Sequence, residues 1–256
     1  MIYKSDIKKF DNFFLLGNIK KLIPVKNLNV LDINDYLFID TQKELILKNT
    51  KYFILNKPAS NALLWGERGN GKSSLILSAV KKINKNIKKK IKIIEILNSD
   101  IKLLPELIYS LSNINEKFII FIDDISFGKN EENFKTFKVM LQGSMLSYSK
   151  NILYYVTSNI RNLSEINSQD LNELEQKDNR NNVLSLQERF GIKVGFYNFS
   201  KEQFISIVLH YAKKNRLKLS RRDLEIKSMS WSIQKGSLSG RVASQFINDY
   251  LINKLD

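Results

Sequence analysis

The sequence has no cysteine and only one histidine, His210, among its 256 residues. The absence of cysteine excludes disulfides and cysteine-ligated metal centres. A single histidine also excludes a multi-histidine metal site, and it excludes any serine–histidine catalytic triad that does not use His210. We expect His210 to be a surface or core residue of the helical stretch 204–213. Any metal must be held by carboxylates, hydroxyls and phosphates, a ligand set that suits Mg²⁺.

Long apolar runs are missing as well. No run approaches the roughly 18 residues that a membrane helix needs, and residues 1–6 lack the charged-then-apolar layout of a signal peptide. We therefore expect a cytoplasmic protein with no membrane partner. The length of the chain and its hydrophobic content of 43% suit one large domain, or a core with a smaller appendage.

Acidic side chains are outnumbered, because 41 lysines and arginines stand against 26 aspartates and glutamates, a net charge of +15. The excess is concentrated in residues 81–92 and 213–222. One interpretation is a nucleic acid or another polyanion held through phosphate contacts. The other is a solvated helix face, in a chain whose lysine, asparagine and isoleucine content is typical of AT-rich coding sequences. Both interpretations stay open at this stage.

What the sequence does contain is a glycine-rich segment at residues 66–73 with the spacing G-x-x-x-x-G-K-[ST] of a phosphate-binding loop. Glycines let backbone N–H groups close on a phosphate, Lys72 can reach the β- and γ-phosphates, and the hydroxyl of Ser73 can ligate Mg²⁺. The apolar run 61–65 and the helical stretch 74–80 flank the loop, an order that aims a helix N-terminus at an anion. The alternative is an ordinary glycine turn. The predicted nucleotide-binding residues are Gly66, Glu67, Arg68, Gly69, Asn70, Gly71, Lys72, Ser73 and Ser74.

Two carboxylates follow the apolar stretch 118–122, which is the layout of a Walker B motif. Asp123 would hold Mg²⁺ together with Ser73, and Asp124 would orient or deprotonate the attacking water. The alternative is that an acid after a strand caps the next turn. Asn159 ends a further apolar stretch and is a candidate for positioning the same water.

Apolar stretches alternate with helical ones, which predicts a mostly parallel sheet between helical layers. The predicted strands are 61–65, 91–96, 118–122, 152–158 and 192–197, and the predicted helices are 37–53, 73–83, 101–111 and 133–146. Residues 162–182 are predicted to form a long loop.

The chain divides into three predicted parts. Residues 1–34 form a leader that packs on the core, with apolar side chains near helical spacing at Ile7, Phe10, Phe13, Phe14 and Leu15. Residues 35–199 form the α/β core. Residues 200–256 form a small all-helical domain, in which Ser220 and Ser239 are the predicted caps.

These motifs occur in the order found in AAA+ ATPases: the phosphate-binding loop, the Walker B motif, a polar strand tip, Arg-Phe-Gly before the last strand, and Gly-Arg in the terminal helical domain. The segments 58–66, 122–127, 157–159, 188–191 and 239–243 resemble a group of stand-alone bacterial AAA+ proteins mostly catalogued as a domain of unknown function, a likeness that covers about residues 35–250. The resemblance implies an α/β P-loop NTPase fold of three layers, with a parallel five-stranded sheet in the order 5-1-4-3-2 and a C-terminal helical lid. It also implies an ATPase that binds Mg-ATP and couples its hydrolysis to conformational change or to remodelling of a partner.

Individual residues acquire roles from the resemblance. Asn159 corresponds to the sensor 1 position and Arg241 to sensor 2. Arg189 corresponds to an arginine finger that acts on the neighbouring subunit's nucleotide, which implies a homo-oligomer. Ile39 and Asp40 fall where the family's adenine pocket begins. The candidate catalytic residues are therefore Asp124, Asn159, Arg189 and Arg241, although without the resemblance either arginine suits a surface ion pair.

The chain departs from the family in two places. AAA+ enzymes commonly have glutamate where this chain has Asp124, which predicts slow hydrolysis, although Asp-Asp also occurs in initiator-like and loader-like members. Residues 97–101 lack the aromatic-hydrophobic-glycine pore loop of protein-threading members, which argues against an unfoldase. Two alternatives stay open: an ATP-switched, nucleic-acid-associated loader with little turnover, and a P-loop small-molecule kinase, which the terminal helical domain disfavours.

Overall fold

A seven-stranded sheet forms the centre of the protein in the computed structural model, which describes residues 4–125, 131–142, 149–159, 186–217 and 220–253. The strands are β1 (Asn12–Leu16), β2 (Lys21–Pro24), β3 (Ala62–Gly66), β4 (Ile91–Ile96), β5 (Lys117–Ile122), β6 (Ile152–Ser158) and β7 (Ile192–Phe196). Their spatial order is β2-β1-β4-β5-β6-β3-β7.

Five of these strands form the predicted parallel sheet. Numbered among themselves, β3 to β7 lie in the order 5-1-4-3-2, with β6 between the two strands that carry the motifs. Both faces of this sheet are buried: along β5, Phe118, Ile120 and Ile122 pack on one side, and Ile119 and Phe121 on the other. This double burial explains why the strands are recognisable in the sequence as continuous apolar runs.

The leader differs from the predicted helical spacing. Helix α1 (Lys4–Lys9) ends before Phe10, and β1 and β2 form a hairpin at the edge of the sheet. Because β1 pairs parallel with β4 and β2 pairs antiparallel with β1, the sheet has seven strands rather than five and is not wholly parallel. Phe13 and Leu15 are buried as expected, but at the two-residue period of a strand, which a five-residue stretch does not separate from helical spacing.

Helices cover both faces of the sheet. On one face lie α2 (Asp40–Ile54) and α3 (Lys72–Asn86), and on the other α4 (Leu104–Ser112) and α5 (Glu131–Gln142). All four predicted helices are present, and the one predicted from residue 101 begins as a 3₁₀ segment, Asn98–Leu103. The end of the predicted 133–146 helix beyond Gln142 and the predicted loop 162–182 lie outside the described residues.

Three helices follow the sheet: α6 (Lys201–Lys214), α7 (Arg221–Lys235) and α8 (Gly240–Ile252). The hydroxyls of Ser200, Ser220 and Ser239 each accept a hydrogen bond from a backbone N–H of the first turn, which confirms the two predicted caps. Apolar side chains such as Phe204 and Phe246 join the same core cluster as α2 and α3. The helical region therefore packs against that layer.

The topology places the carboxyl ends of β3, β5 and β6 at one edge of the sheet, where parallel sheets bind their ligands. The glycine-rich loop, the paired aspartates and Asn159 follow these strand ends. The elements thus bring together motifs that lie about 90 residues apart in the chain.

Two expectations concern the chain as a whole. Within the described residues, no helix is long and apolar enough to cross a membrane. The division into parts at residues 34/35 and 199/200 stays a prediction.

Candidate functional site

The glycine-rich loop joins β3 to α3 in a backbone conformation that favours glycine. Gly66, Gly69 and Gly71 have φ angles of +115°, +78° and +94°. A Cβ on Gly66 would lie 2.1 Å from the backbone oxygen of Phe196 on β7, so only glycine allows this approach of loop and sheet. Gly71 is the N-cap of α3 and has no side chain to bond the first-turn N–H groups, which suits the binding of an anion there.

Lys72, the first residue of α3, is buried, and its ammonium group turns back to the loop. Its Nζ donates hydrogen bonds to the carbonyl oxygens of Gly66 and Glu67, each at 2.7 Å. Burial lowers the pKa of Lys72 to about 8, against the opposing attraction of Asp124, Asp123 and Glu67. The two carbonyls therefore hold a cation in place where it would otherwise be costly to bury.

Asp123 lies directly after β5 and joins three elements. Its Oδ1 accepts hydrogen bonds from the hydroxyls of Ser73 on α3 and Thr157 on β6, both at 2.5 Å. The sequence predicts Ser73 and Asp123 as the ligands of Mg²⁺, and the structure brings them into contact. Thr157 was missed; it is a polar residue near the carboxyl end of β6, two residues before Asn159, and this position is a signal that could have found it.

Asp124 has a left-handed backbone conformation with φ of +50°. Its N–H donates to the hydroxyl of Thr157 at 2.8 Å, and its carboxylate accepts a hydrogen bond from the side-chain amide of Asn159. A left-handed aspartate is uncommon, and here both its main chain and its side chain are tied to β6. The predicted water-orienting pair, Asp124 and Asn159, is thus in direct contact.

These groups line one end of a cavity of about 570 Å³. The wall at this polar end contains the loop residues from Arg68 to Ser74, Asp123, Asp124, Thr157 and Asn159. The other end is apolar and aromatic and is lined by Leu31, Tyr36, Leu37, Ile39, Phe199, Ile207 and Tyr211. A cavity that is charged at one end and apolar at the other matches the polarity of a nucleotide.

Tyr36 connects the apolar end to the loop. A Cβ on Gly71 would lie 3.2 Å from its ring, and its hydroxyl is hydrogen-bonded to that of Ser78 on α3 at 3.1 Å. Burial raises the pKa of Tyr36, so the ring stays neutral. Ile39 also lines the cavity, as the resemblance implied, whereas Asp40 is outside the wall and pairs with Lys43.

Asp35, beside Tyr36, joins the chain before α2 to helix α6. Its carboxylate lies 3.1 Å from Nε2 of His210 and also contacts the ammonium group of Lys214. Burial raises the pKa of Asp35, but the hydrogen bonds from Lys214 and His210 outweigh it, so the pKa lies below the ordinary value of 3.8. The single histidine therefore belongs to a polar contact between the cavity wall and the helical region.

Helix α8 begins against the glycine-rich loop. The N–H of Arg241 donates to the carbonyl oxygen of Gly69 at 3.0 Å, and a Cβ on Gly69 would lie 2.8 Å from Oγ of Ser239. Arg241 lines the cavity together with Ser244 and Gln245, and its charge contributes to lowering the pKa of Lys72. The structure therefore brings Arg241 to the glycine-rich loop.

Arg189 lies elsewhere. It lies three residues before β7, at the amino edge of the sheet, whereas the cavity is at the carboxyl edge. Its side chain is exposed and does not line the cavity. Gly66 and Glu67 are also absent from the wall and contribute the carbonyls that bind Lys72.

The donor atoms of the site fit a hard divalent cation. Ser73 and Asp123 offer oxygen ligands in contact with each other beside the glycine-rich loop. No cluster of three histidine or acidic side chains that could hold a metal occurs in the described part of the chain. A site with few protein ligands, in which phosphates and water complete the coordination, suits Mg²⁺.

The fold is that of AAA+ ATPases of known structure. Orc1 from Aeropyrum pernix, solved in complex with DNA, has a TM-score of 0.60 at 16% identity, over 84% of this chain and 58% of that chain. A RuvB mutant from Thermotoga maritima has a TM-score of 0.54 at 13% identity, over 83% of this chain and 62% of that chain. Cdc6p from Pyrobaculum aerophilum has a TM-score of 0.52 at 11% identity, over 82% of this chain and 68% of that chain. At these identities the likeness shows the fold alone, and the chain spans about three fifths of the length of Orc1 and RuvB.

Sequence comparison identifies the family. No curated protein matches the sequence. Residues 9–254 match the family described as protein of unknown function (DUF815), and this range takes in the hairpin, the sheet and the three C-terminal helices. The structural neighbours agree with the resemblance of the motifs to AAA+ proteins. The chain therefore belongs to the family described as protein of unknown function (DUF815).

Proposed function

We propose that the cavity binds Mg-ATP and that the protein hydrolyses it, with the energy coupled to movement of the C-terminal helices against the sheet. The observation that carries this proposal is the arrangement at the polar end: loop glycines at positive φ, a buried Lys72, and Ser73 in contact with Asp123. A triphosphate with its metal uses all three features, whereas an ordinary glycine turn needs none of them.

Adenine is the proposed base. The carboxylates in the cavity wall are Asp123 and Asp124, both at the polar end, so no carboxylate of the described wall can accept hydrogen bonds from N1–H and the 2-amino group of a guanine at the apolar end. Tyr36, Ile207 and Tyr211 instead offer apolar and aromatic surface for a base. ATP should therefore bind more tightly than GTP.

The phosphate chain is held by the loop and by two cations. Backbone N–H groups at the start of α3 and the ammonium of Lys72 bind the β- and γ-phosphates, and Arg241 adds a second positive charge. Ser73 and Asp123 would hold Mg²⁺, which when bound neutralises charge on the phosphates.

Hydrolysis depends on Asp124 and Asn159. In the proposed step, the oxygen of a water molecule bonds to the γ-phosphorus while the bond to the β–γ bridging oxygen breaks, and the water proton passes to Asp124. Aspartate is one methylene shorter than glutamate, and the carboxylate already accepts a hydrogen bond from Asn159. We therefore expect slow turnover.

Arg189 completes the site in a neighbouring subunit in this proposal. Its place at the amino edge, away from its own cavity, supports a role in trans. A guanidinium is always charged and multidentate, which suits the charge that develops on a transferring phosphoryl group. The proposal therefore includes a homo-oligomer. We also propose that it is cytoplasmic.

The test combines two substitutions with a matched control. Lys72→Ala should weaken the binding of a fluorescent ATP analogue in Mg²⁺ by about 100-fold, because charge-assisted hydrogen bonds to phosphate are lost. Asp124→Asn should bind the analogue and release no phosphate. Lys85→Ala, at an exposed position of the same helix, should behave as wild type.

Three results would contradict the proposal. Tight Mg-ATP binding by Lys72→Ala would show that the glycine-rich loop is not the phosphate-binding site. Binding without phosphate release by the wild-type oligomer would leave a nucleotide switch rather than an ATPase. Phosphate transfer to an added acceptor would favour a small-molecule kinase.

A further inference from the structure

The edge of the sheet opposite the cavity is lined with lysines. The segments that lead into β3, β4, β5 and β6 are residues 55–61, 87–90, 113–116 and 149–151. With the first residue of β5, they contain one carboxylate, Glu116, and six lysines. We name these lysines the amino-edge cluster: Lys57, Lys88, Lys89, Lys90, Lys117 and Lys150.

Lys117 lies at the centre of the cluster. Its side chain is buried, its Nζ donates to the carbonyl oxygen of Lys150 at 2.7 Å, and the same atom lies 4.8 Å from the ring centroid of Phe53 on α2. Burial and the nearby charge of Lys89 lower the pKa of Lys117. Segments from both neighbouring strands therefore surround a buried ammonium group with further lysines.

No carboxylate relieves this repulsion. Among the described residues, none of the six lysines of the cluster forms an ion pair. Lys89 binds the side-chain oxygen of Asn115, and Lys57 lies over the ring of Tyr52. A group of like charges without counter-charges is stabilised by an anionic partner.

The two edges of the sheet differ in charge. At the carboxyl edge, the segments that follow the same four strands, β3 to β6, contain four carboxylates against two cationic side chains, in residues 67–71, 97–103, 123–125 and 159. A general bias toward lysine codons would enrich both edges. Codon composition therefore does not explain why six lysines gather at the amino edge.

The spacing of the cluster fits a row of phosphates. Ile91 pairs with Lys117, and Phe118 with Ile152, so β4, β5 and β6 begin at nearly the same level. Neighbouring strands lie about 4.8 Å apart, so Lys90, Lys117 and Lys150 span about 10 Å. A B-DNA strand advances about 3.4 Å per phosphate, so the row is about as long as three phosphate steps. Because Lys117 is buried, the exposed Lys88, Lys89 and Lys150 beside it would make the contacts.

We propose that the amino-edge cluster is a nucleic-acid-binding surface that contacts the sugar–phosphate backbone. Lysines act as point charges and lack the planar fork with which arginine reads guanine, so binding there is independent of base sequence. The cluster lies at the opposite edge from the cavity, and nucleic acid and nucleotide can be bound at the same time. This inference does not depend on ATP hydrolysis.

The test compares two triple variants that remove the same charge. One replaces exposed lysines of the cluster: Lys57→Gln, Lys89→Gln and Lys150→Gln. The control replaces exposed lysines on other surfaces: Lys8→Gln, Lys102→Gln and Lys201→Gln. A labelled DNA duplex and a labelled single-stranded RNA, each in two unrelated sequences, are titrated by fluorescence anisotropy over a series of salt concentrations, after thermal unfolding has shown that both variants fold.

The cluster variant should bind nucleic acid at least roughly tenfold more weakly than wild type. The slope of its plot of log affinity against log salt concentration should become less negative by about 2 to 3. The control should lose less than about threefold, and the probe that binds more tightly identifies the preferred nucleic acid. Equal losses in both variants, or no binding by wild type at low salt, would overturn the proposal. Loss of self-association with unchanged nucleic-acid affinity would instead make this edge a subunit contact. ATP hydrolysis without nucleic acid should be unchanged, which keeps this test separate from that of the ATPase.

Discussion

The hydroxyl of Thr157 joins the two aspartates of the candidate site. It donates to Oδ1 of Asp123 and accepts the N–H of Asp124, while Asn159 binds the side chain of Asp124. Thr157 is near the end of β6 and Asn159 directly follows that strand, so both polar side chains lie beside the residues that follow β5. The positions of both aspartates are therefore fixed by the neighbouring strand.

Lys72 should make the proposed nucleotide binding depend on pH. Its pKa in the free protein is about 8, and bound phosphates favour the charged form, so the pKa is higher in the complex. Above pH 8, Lys72 of the free protein is mostly deprotonated, so the protein must take up a proton when the nucleotide binds. Affinity for a fluorescent ATP analogue, titrated at saturating Mg²⁺ from pH 7 to 9.5, should therefore stay level to about pH 8 and then fall, by at most about tenfold per pH unit.

Lys72→Arg is the control for this dependence. A guanidinium remains charged throughout the range, so the variant should lose the fall above pH 8, whatever its absolute affinity. An equal fall in Lys72→Arg would assign the pH dependence to another group, and a level wild-type curve would show that Lys72 stays protonated.

At the scale of elements, the sequence predicts what is locally encoded. The strands β3 to β7 are continuous apolar runs because both faces are covered, and Ser220 and Ser239 begin helices because their hydroxyls cap the first turn. The helical prediction for the leader was wrong because the apolar positions of five residues around Phe13 fit both the helical and the strand period. Pairing with β4 makes this segment a strand. That pairing joins residues about 80 positions apart, which no local pattern contains.

Asp35 links two elements and gives the prediction at this scale. The carboxylate joins the 3₁₀ segment Ile33–Asp35 to His210 and Lys214 of α6. Asp35→Asn keeps the shape and removes the charge, and it should lower the free energy of unfolding in urea at pH 7 by about 1 kcal/mol, since the exposed Lys214 is well screened. ATP affinity should also fall a few-fold, because the neighbouring Tyr36 lines the cavity together with Tyr211 of α6.

Acid gives an independent check on the same contact. The pKa of Asp35 is lowered in the folded protein, so its contribution is complete above the unfolded value of about 4 and is lost as the pH falls through the folded value. The stability difference between wild type and Asp35→Asn should shrink accordingly below pH 4. Asp32→Asn is the matched control, because Asp32 is exposed and asparagine also caps the 3₁₀ segment. Equal unfolding midpoints for the two variants would contradict the role of Asp35.

At the scale of the whole molecule, the two ends of the cavity differ in how far the sequence predicts them. The polar end follows from two contiguous motifs, because a loop and two aspartates carry most of its chemistry. The apolar end collects residues from the chain before α2, from the segment after β7 and from α6, and each of them is typical of core packing when taken alone. Besides Thr157, the missed wall residues are Leu31, Tyr36, Leu37, Phe199, Ile207, Tyr211, Ser244 and Gln245.

Arg189 provides the prediction for the assembled protein. It is exposed at the amino edge, and the cavity lies at the carboxyl edge, so it can complete an ATPase site only in another subunit. Arg189→Ala should bind ATP normally and lose most of the hydrolysis, for which arginine fingers supply roughly 10³- to 10⁵-fold. Arg222→Ala, at an exposed position of α7, is the control and should hydrolyse ATP at the wild-type rate.

Mixing two inactive variants separates action in trans from action within one subunit. Asp124→Asn has a defective nucleotide site and an intact Arg189. Arg189→Ala has an intact nucleotide site and lacks the arginine. In a head-to-tail assembly of equal amounts, about one quarter of the interfaces combine an intact site with an intact arginine. Phosphate release should therefore recover to about a quarter of the wild-type rate per site, provided that the subunits exchange and that sites act independently. A mixture that exchanges subunits, as followed by fluorescence transfer, yet stays inactive would rule out the finger in trans and leave Arg189 as a surface residue.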